Sequence, residues 1–276
     1  MTERPIRYFL LHVPKCSGNT IIRHFEQHLG DRAMHADPPD RSASGYPFTA
    51  EDLCDKDIQI LHGHGMSNRL KALSPGYEVR EAVMLRDTVG YFISMYNFIR
   101  QRHLDGIGPE RPPFEAWYLS ERKNPIARFL MQRYFGEGAP RIYRFSSAGK
   151  LRWLEERFAD FWFVGSYRDV NMLTDRIAED VGVPGAPERK NFDALKVVTK
   201  DSLDPAFVDR MRRDNAVDEA LYHRWSDRGF RRDHSPGALP AHLGHTDQWR
   251  DILAEAELGV RKAWLRHVAG YNKRRW

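Results

Sequence analysis

Short apolar runs alternate with longer amphipathic stretches over the first 182 residues of the chain. After the first run, Ile22, Phe25 and Leu29 follow at helical spacing, which indicates a helix with one buried face. Apolar runs bounded by turn residues are typical of strands buried in a parallel sheet. Such runs predict strands at residues 8–11, 58–61, 81–85, 142–145 and 161–164. The alternation predicts an α/β fold with a central parallel sheet flanked by helices.

Beyond this region the pattern becomes helical. Apolar residues at helical spacing predict long helices at residues 207–225 and 249–268. The length suits one large domain or two small ones. We expect a single domain over residues 1–276, with the α/β core at about 6–182 and a helical C-terminal subregion at about 190–276.

The first predicted strand leads into a polar turn, His12-Val13-Pro14-Lys15-Cys16-Ser17-Gly18-Asn19-Thr20. Ser17, Gly18 and Asn19 can form the turn and cap the helix that follows. The N–H groups of a first helical turn favour an anion, and Lys15 adds a full positive charge. The turn therefore predicts a cradle for a phosphate-like group, although an ordinary turn with a solvated lysine would contain the same residues.

Residue order separates this turn from two known loops. A Walker-type loop reads Gly-x-x-x-x-Gly-Lys-Ser/Thr, whereas Lys15 here precedes Gly18. Cys16 at a helix start has the position of a low-pKa nucleophile. Its spacing to Arg23 differs from that of the Cys–Arg loop of the tyrosine phosphatases. Covalent chemistry at Cys16 is therefore not favoured.

Polar residues also follow the second and third predicted strands. His62 and His64 stand at alternate positions, so their side chains could converge as general bases or metal ligands, or form an ordinary solvated pair. No Cys, His or carboxylate partner stands at a recognisable metal-ligand spacing. Arg86 follows the third strand, and Ser94 lies two turns into the next helix. The forked guanidinium suits a phosphate, although an ion pair with Asp87 is the ordinary alternative.

Composition narrows the class of protein. The net charge of +5 and the pI near 9.2 favour anionic ligands, and on charge alone these include nucleic acid, a polyanionic cofactor and an acidic glycan. The sequence has no apolar run long enough to span a membrane and no secretory signal pattern. With only two cysteines, it predicts a protein of a reducing, cytoplasmic compartment.

Together the two strand–turn–helix units resemble the signatures of the PAPS-dependent sulfotransferases. His12-Val13-Pro14-Lys15 with its small-residue turn is similar to the "His-Ile-Pro-Lys-Thr-Gly-Gly-Thr-Ser" loop of the carbohydrate branch. Leu85-Arg86-Asp87 with Ser94-Met95-Tyr96-Asn97-Phe98 resembles the second signature, "Leu-Arg-Asp-Pro-Val…Ser-x-Tyr-Asn-Phe". His62-Gly63-His64 is similar to the His-Gly-His segment of the glycan 2-O-sulfotransferases. The resemblance covers about residues 6–225.

The resemblance implies a P-loop-NTPase-like sulfotransferase fold, with 3′-phosphoadenosine 5′-phosphosulfate (PAPS) as donor and 3′-phosphoadenosine 5′-phosphate (PAP) as product. The residues it assigns to the 5′-phosphosulfate are Lys15, Cys16, Ser17, Gly18, Asn19 and Thr20. It assigns the 3′-phosphate to Arg86 and Ser94, and the general-base role to His64, which His62 would orient or replace. Lys15 would also stabilise the leaving group.

The sequence departs from the family pattern in both signatures. Cys16, Ser17 and Asn19 replace Thr, Gly and Thr in the loop, and Thr88 replaces the usual Pro. Because glycine alone lets a backbone approach a ligand without a Cβ in the way, Ser17 is expected to tighten that approach.

Sulfuryl transfer resembles phosphoryl transfer, because both reactions require mainly positioning of the reactants and stabilisation of charge. Since the donor already carries its leaving group, no metal is expected. The expected acceptor is a hydroxylated molecule, with a carbohydrate as the leading candidate. Loops near residues 37–50 and 103–113 and the C-terminal helices are expected to select it. Neither a nucleic-acid partner nor a membrane span is expected, and the oligomeric state stays open. The alternatives are a P-loop-like kinase or other nucleotide enzyme, and a non-catalytic binder of anionic polymers.

Overall fold

One all-parallel sheet of five strands forms the centre of the protein, in the order β2-β3-β1-β4-β5. The computed structural model describes residues 4–36, 46, 48–138, 142, 144–185, 196–234, 238 and 243. The strands are β1 (Ile6–Leu11), β2 (Ala33–His35), β3 (Ile60–Gly63), β4 (Glu78–Leu85) and β5 (Phe163–Ser166). The predicted α/β class with a parallel sheet flanked by helices is confirmed.

Helices connect the strands and continue after the last one. Among the described residues the α-helices are α1 (Gly18–Leu29), α2 (Ala50–Asp55), α3 (Thr88–Leu104), α4 (Phe114–Leu119), α5 (Pro125–Phe129), α6 (Ser147–Phe158), α7 (Val170–Val181), α8 (Pro205–Asp214) and α9 (Ala216–Trp225). A π-helix over Leu130–Tyr134 directly continues α5. The part after β5 is helical, as predicted, and the predicted helix at 249–268 lies outside the described residues.

The central strand β1 sets the position of the polar turn that follows it. Its residues from Arg7 to Leu11 are buried, because parallel neighbours and helices cover the strand on every side. Leu11 pairs with Gly63 of β3 on one side and with Val83 of β4 on the other. The segments that follow β1, β3 and β4 therefore emerge at the same edge of the sheet.

Two parts of the strand prediction are wrong. Of the predicted strand at 142–145, Ile142 is helical, and the Phe145 N–H donates to the Ile142 carbonyl at 3.2 Å, a local bond that a strand would not make. The edge strand β2 was not predicted, since its three residues contain no apolar run. β2 forms because it pairs with β3, and such pairing is not visible in the hydrophobic pattern of the sequence.

The helix predicted at 207–225 is broken in two at Asn215. This fully buried side chain accepts a hydrogen bond from the Asn124 N–H at 2.7 Å and donates to the Met211 carbonyl. In return, Asn124 Oδ1 accepts from the N–H groups of Val217 and Asp218. The Asp218 carboxylate in turn caps the start of α5. The two helix starts thus satisfy one another's unpaired N–H groups, and a continuous helix would lose that exchange.

The loops predicted near residues 37–50 and 103–113 are described in part. Residues 105–113 contain neither helix nor strand and connect α3 to α4, whereas His103 and Leu104 still belong to α3. Most of the loop at 37–50 lies outside the described residues, and Ala50 begins α2. In the described part of the chain, every helix is too short or too polar to cross a bilayer.

Candidate anion-binding site

A cleft of about 270 Å³ lies at the carboxyl edge of the sheet. Three chain segments meet there: the turn after β1, His64 after β3, and Arg86 after β4 together with one face of α3. The residues that line it are His12, Pro14, Lys15, Ser17, Gly18, Asn19, His64, Arg86, Ser94, Met95 and Phe98. This lining contains cationic and neutral polar side chains but no carboxylate, so it suits an anionic ligand.

The turn after β1 has an unusual backbone. Lys15 and Ser17 both have a positive φ, 63° and 67°, a conformation that costs a residue with a Cβ about 1–2 kcal/mol. Ser17 occupies the N-cap position of α1, but its side chain makes no capping hydrogen bond, contrary to the capping expected from the sequence. The N–H groups of the first turn of α1 consequently have no side-chain cap from Ser17.

Ser17→Gly is expected to stabilise the protein by about 1 kcal/mol, because glycine adopts a positive φ without strain and no capping bond is lost. The thermal unfolding midpoint of the purified protein measures this. The matched control is Ser226→Gly, since Ser226 follows α9 with a helical φ of −66° and glycine should destabilise it there. Equal destabilisation by both changes would contradict a strained turn.

Lys15 places an unpaired positive charge in the cleft. Its ammonium nitrogen lies 4.2 Å from the centre of the exposed Phe98 ring, and within the described part of the chain it forms no ion pair. Partial burial, and then the nearby charge of Arg86, lowers the pKa of Lys15. A bound anion would offset both effects, since it would neutralise two neighbouring cations at once.

Arg86 is the second cation and is held in place by two contacts. Its Nη1 donates to the Lys15 carbonyl at 2.8 Å, and the guanidinium carbon lies 4.4 Å from the centre of the Tyr167 ring. Asp87 does not pair with it, because that carboxylate accepts from the Gly90 N–H and caps α3. Among the described residues the buried Nε of Arg86 has no hydrogen-bond partner. This donor is available to an acceptor atom that a ligand or a water molecule would bring into the cleft.

His64 presents one ring nitrogen that can accept a proton. Its Nδ1 lies 2.7 Å from the His12 carbonyl oxygen, and because a carbonyl oxygen only accepts, Nδ1 carries the proton. In the neutral ring the lone pair is then on Nε2. The side chain is exposed, so a proton taken up at Nε2 can return to solvent. This arrangement is suitable for a general base.

The His12 ring stacks on the His64 ring, with centroids 4.0 Å apart and 22° between the planes. His12 is buried, and this burial, with smaller contributions from the neighbouring His64, His62, His35 and Lys15, lowers its pKa to about 3. It is therefore neutral at physiological pH. Gly18 makes room for it, since a Cβ there would lie 2.1 Å from His12 Cδ2.

Three of the predicted site residues do not line the cleft. His62 is fully buried, with Nε2 3.4 Å from Glu26 Oε1, so it does not converge on the cleft with His64. The Cys16 side chain is buried in the core, and this burial raises the pKa of its thiol, which argues against a nucleophile. Thr20 is exposed on α1 but is not among the cleft residues. The turn and the side chains of Arg86 and Ser94 do come together.

Other residues at the site were not predicted from the sequence as functional. His12 was quoted as part of the turn but given no role of its own, and Met95 was not considered as cleft wall. Tyr167, which packs on Arg86, was also missed. It directly follows β5, the strand next to β4, so its position at a strand end was the available signal.

In the described ranges no group of three or more His, Cys, Asp or Glu side chains has a geometry that could hold a metal ion. The chain is thus an α/β protein with a cationic cleft at the carboxyl edge of a parallel sheet. Comparison with protein-family models, curated proteins and solved structures finds no match to it.

Proposed function

We propose that the protein is a PAPS-dependent sulfotransferase with the P-loop-NTPase-like sulfotransferase fold, and that it transfers the sulfuryl group to a hydroxyl of an acceptor, in the first place a carbohydrate. The observation that carries the proposal is that Lys15 and Arg86, from the ends of neighbouring strands, line one cleft without a carboxylate partner among the described residues. These are the residues that the motif resemblance assigns to the two phosphate ends of one nucleotide.

The cleft residues fit such a donor by their charge and hydrogen-bonding groups. The first turn of α1 and Lys15 would bind the 5′-phosphosulfate, while Arg86, with its unsatisfied Nε, and the Ser94 hydroxyl would bind the 3′-phosphate. A bound PAPS supplies an activated sulfuryl group and a good leaving group. Of the loop residues in the resemblance, Cys16 and Thr20 would take part through the backbone only, since their side chains do not line the cleft.

The chain's own groups can then perform the transfer. His64 Nε2 accepts the proton of the acceptor hydroxyl, whose oxygen forms the new bond to sulfur as the bond between sulfur and the phosphate oxygen breaks. Lys15 and the N-terminal end of α1 stabilise the negative charge that builds on that phosphate oxygen. His64 afterwards releases its proton to solvent, which its exposure allows.

Two other functions are less well supported by the cleft. A kinase using Mg-ATP requires oxygen ligands for the metal, and the cleft lining has no carboxylate and no Walker-type Ser/Thr after a Gly-Lys pair. A non-catalytic polymer binder would need only an exposed basic surface, whereas Arg86 is half-buried and fixed by Lys15 and Tyr167.

Titration with nucleotides tests the proposal. PAP is expected to bind more tightly than ADP by a factor of about ten or more, because only PAP carries both phosphate groups that the two cations would bind. Isothermal calorimetry of the purified protein measures this. A preference for Mg-ATP would instead favour a kinase, and indifference to all three nucleotides would favour a polymer binder.

Arg86→Ala is expected to weaken PAP binding by about 1.5–3 kcal/mol, since it removes a charged donor pair from the 3′-phosphate, and to leave the affinity for 5′-AMP nearly unchanged. Arg213→Ala, at an exposed arginine of α8, is the matched control for the loss of one positive charge. If Arg86→Ala weakened PAP and 5′-AMP equally, the 3′-phosphate would have to bind elsewhere.

A further inference from the structure

His64 is an exposed side chain that the structure nevertheless holds in a defined orientation. One face of its ring stacks on His12, at 4.0 Å between centroids, and Nδ1 donates to the His12 carbonyl at 2.7 Å. The Phe129 ring meets it edge-on at 6.3 Å. Two separate groups of one residue, a ring and a backbone oxygen, therefore fix both the plane and the tautomer of His64.

We propose that His12 is a positioning residue for His64: its ring and its carbonyl oxygen hold the His64 imidazole so that Nε2 keeps the free lone pair at the cleft edge. This inference rests on the proposed general-base role of His64. An exposed histidine with neither contact would rotate about its side-chain bonds and exchange between its two neutral tautomers. Only one of those tautomers leaves Nε2 able to accept the proton of a bound acceptor.

His12 is itself fixed, which is what a positioning residue requires. Its ring is buried, and it fills the space that the missing Cβ of Gly18 leaves, at 2.1 Å from where that atom would be. The backbone of His12 also contacts the sheet, because its N–H donates to the Gly63 carbonyl at 3.4 Å. His64, one residue beyond Gly63, is thereby joined to His12 through the sheet as well as through the rings.

The stacked ring also has a favourable charge state. His12 is neutral at physiological pH, so it does not repel His64 when His64 becomes an imidazolium during the transfer.

The variants His12→Leu and His12→Phe separate positioning from packing. His12→Leu removes the stacked ring and is expected to lower kcat about tenfold or more, with the KM for PAPS and the affinity for PAP changed less than about threefold. His12→Phe restores a stacking ring and is expected to recover most of that loss. His12→Leu keeps the backbone carbonyl, but without the stack the His64 ring can rotate away from it. Nitrogen-15 NMR of the His64 ring is therefore expected to give the Nδ1–H tautomer in the unmodified protein and a mixture of tautomers in His12→Leu.

His24→Leu is the matched control. His24 is also a buried histidine with a ring contact and one hydrogen bond to a carbonyl, but it lies on α1 and does not line the cleft. It is expected to change thermal stability without changing kcat or the His64 tautomer. This comparison separates a general loss of stability from an effect on His64.

The proposal would be overturned if His12→Leu kept both kcat and a single Nδ1–H tautomer. It would also be overturned if kcat and PAP affinity fell by the same factor, because His12 would then act by holding the loop. Failure of the sulfotransferase proposal would look different, since the unmodified protein would neither bind PAP nor turn over PAPS, whereas the NMR comparison would still report whether His12 orients His64.

Discussion

Turnover is expected to fall by about 100-fold or more in His64→Ala, while PAP binds as tightly as before. The physical reason is that in the proposed transfer His64 Nε2 accepts the proton at the cleft edge, so its loss would remove general-base assistance without removing a phosphate-binding group. The measurement is the rate of PAP formation from PAPS in the presence of hydroxylated carbohydrates, together with PAP binding by calorimetry.

His28→Ala is the control for this change, because His28 is an exposed histidine in the last turn of α1, away from the cleft lining. It is expected to leave the rate unaffected. An unchanged rate in His64→Ala would remove His64 from the base role. An equal loss of PAP affinity would mean that the residue serves binding, and proton transfer would have to be assigned to another group.

Lys15→Met is expected to lower turnover by about 10²–10³-fold, the range found when one donor to a developing oxyanion is removed. Methionine keeps an unbranched apolar side chain against Phe98 and removes only the charge. The charge on the leaving phosphate oxygen is largest in the transition state, so kcat should fall more than the KM for PAPS rises. Initial rates at several PAPS concentrations separate the two parameters.

The control is Lys56→Met, at an exposed lysine that follows α2. It changes the net charge by the same amount and is expected to leave both parameters within about twofold of the unmodified protein. A Lys15→Met variant with normal kcat and a raised KM would show that Lys15 binds ground state and transition state equally. The leaving-group role would then belong to the N-terminal end of α1 alone.

Strong apolar runs made most of the sheet predictable. β1, β3, β4 and β5 are all found within a few residues of the predicted positions, because each has a run that is buried by strands or helices around it. β2 and the helical conformation of Ile142 were not predicted, and β2 forms through its pairing with β3, which lies far from it in the sequence. The break at Asn215 was missed for the same reason: it depends on Asn124, which is 91 residues away.

The candidate site was predictable where it follows strand ends. His64 and Arg86 stand directly after a strand, Lys15 lies in the turn that follows β1, and parallel strands bring their carboxyl ends to one edge. His62 shows the limit of that reasoning, because it is the third residue of β3 and its side chain is buried near Glu26 and the His35 ring. The predicted strand ended at Leu61, whereas β3 ends two residues later, at Gly63. His62 therefore lies within the strand, and only His64 reaches the cleft.

By itself the sequence determined the α/β class, the approximate positions of four of the five strands and the residues near their ends, because hydrophobic spacing and turn residues act locally along the chain. Only the tertiary structure decided which of those residues meet, that Arg86 pairs with the Lys15 backbone and not with Asp87, and that His12 stacks on His64. Such contacts join residues up to 71 positions apart. They depend on the direction and burial of side chains, which no local sequence pattern specifies.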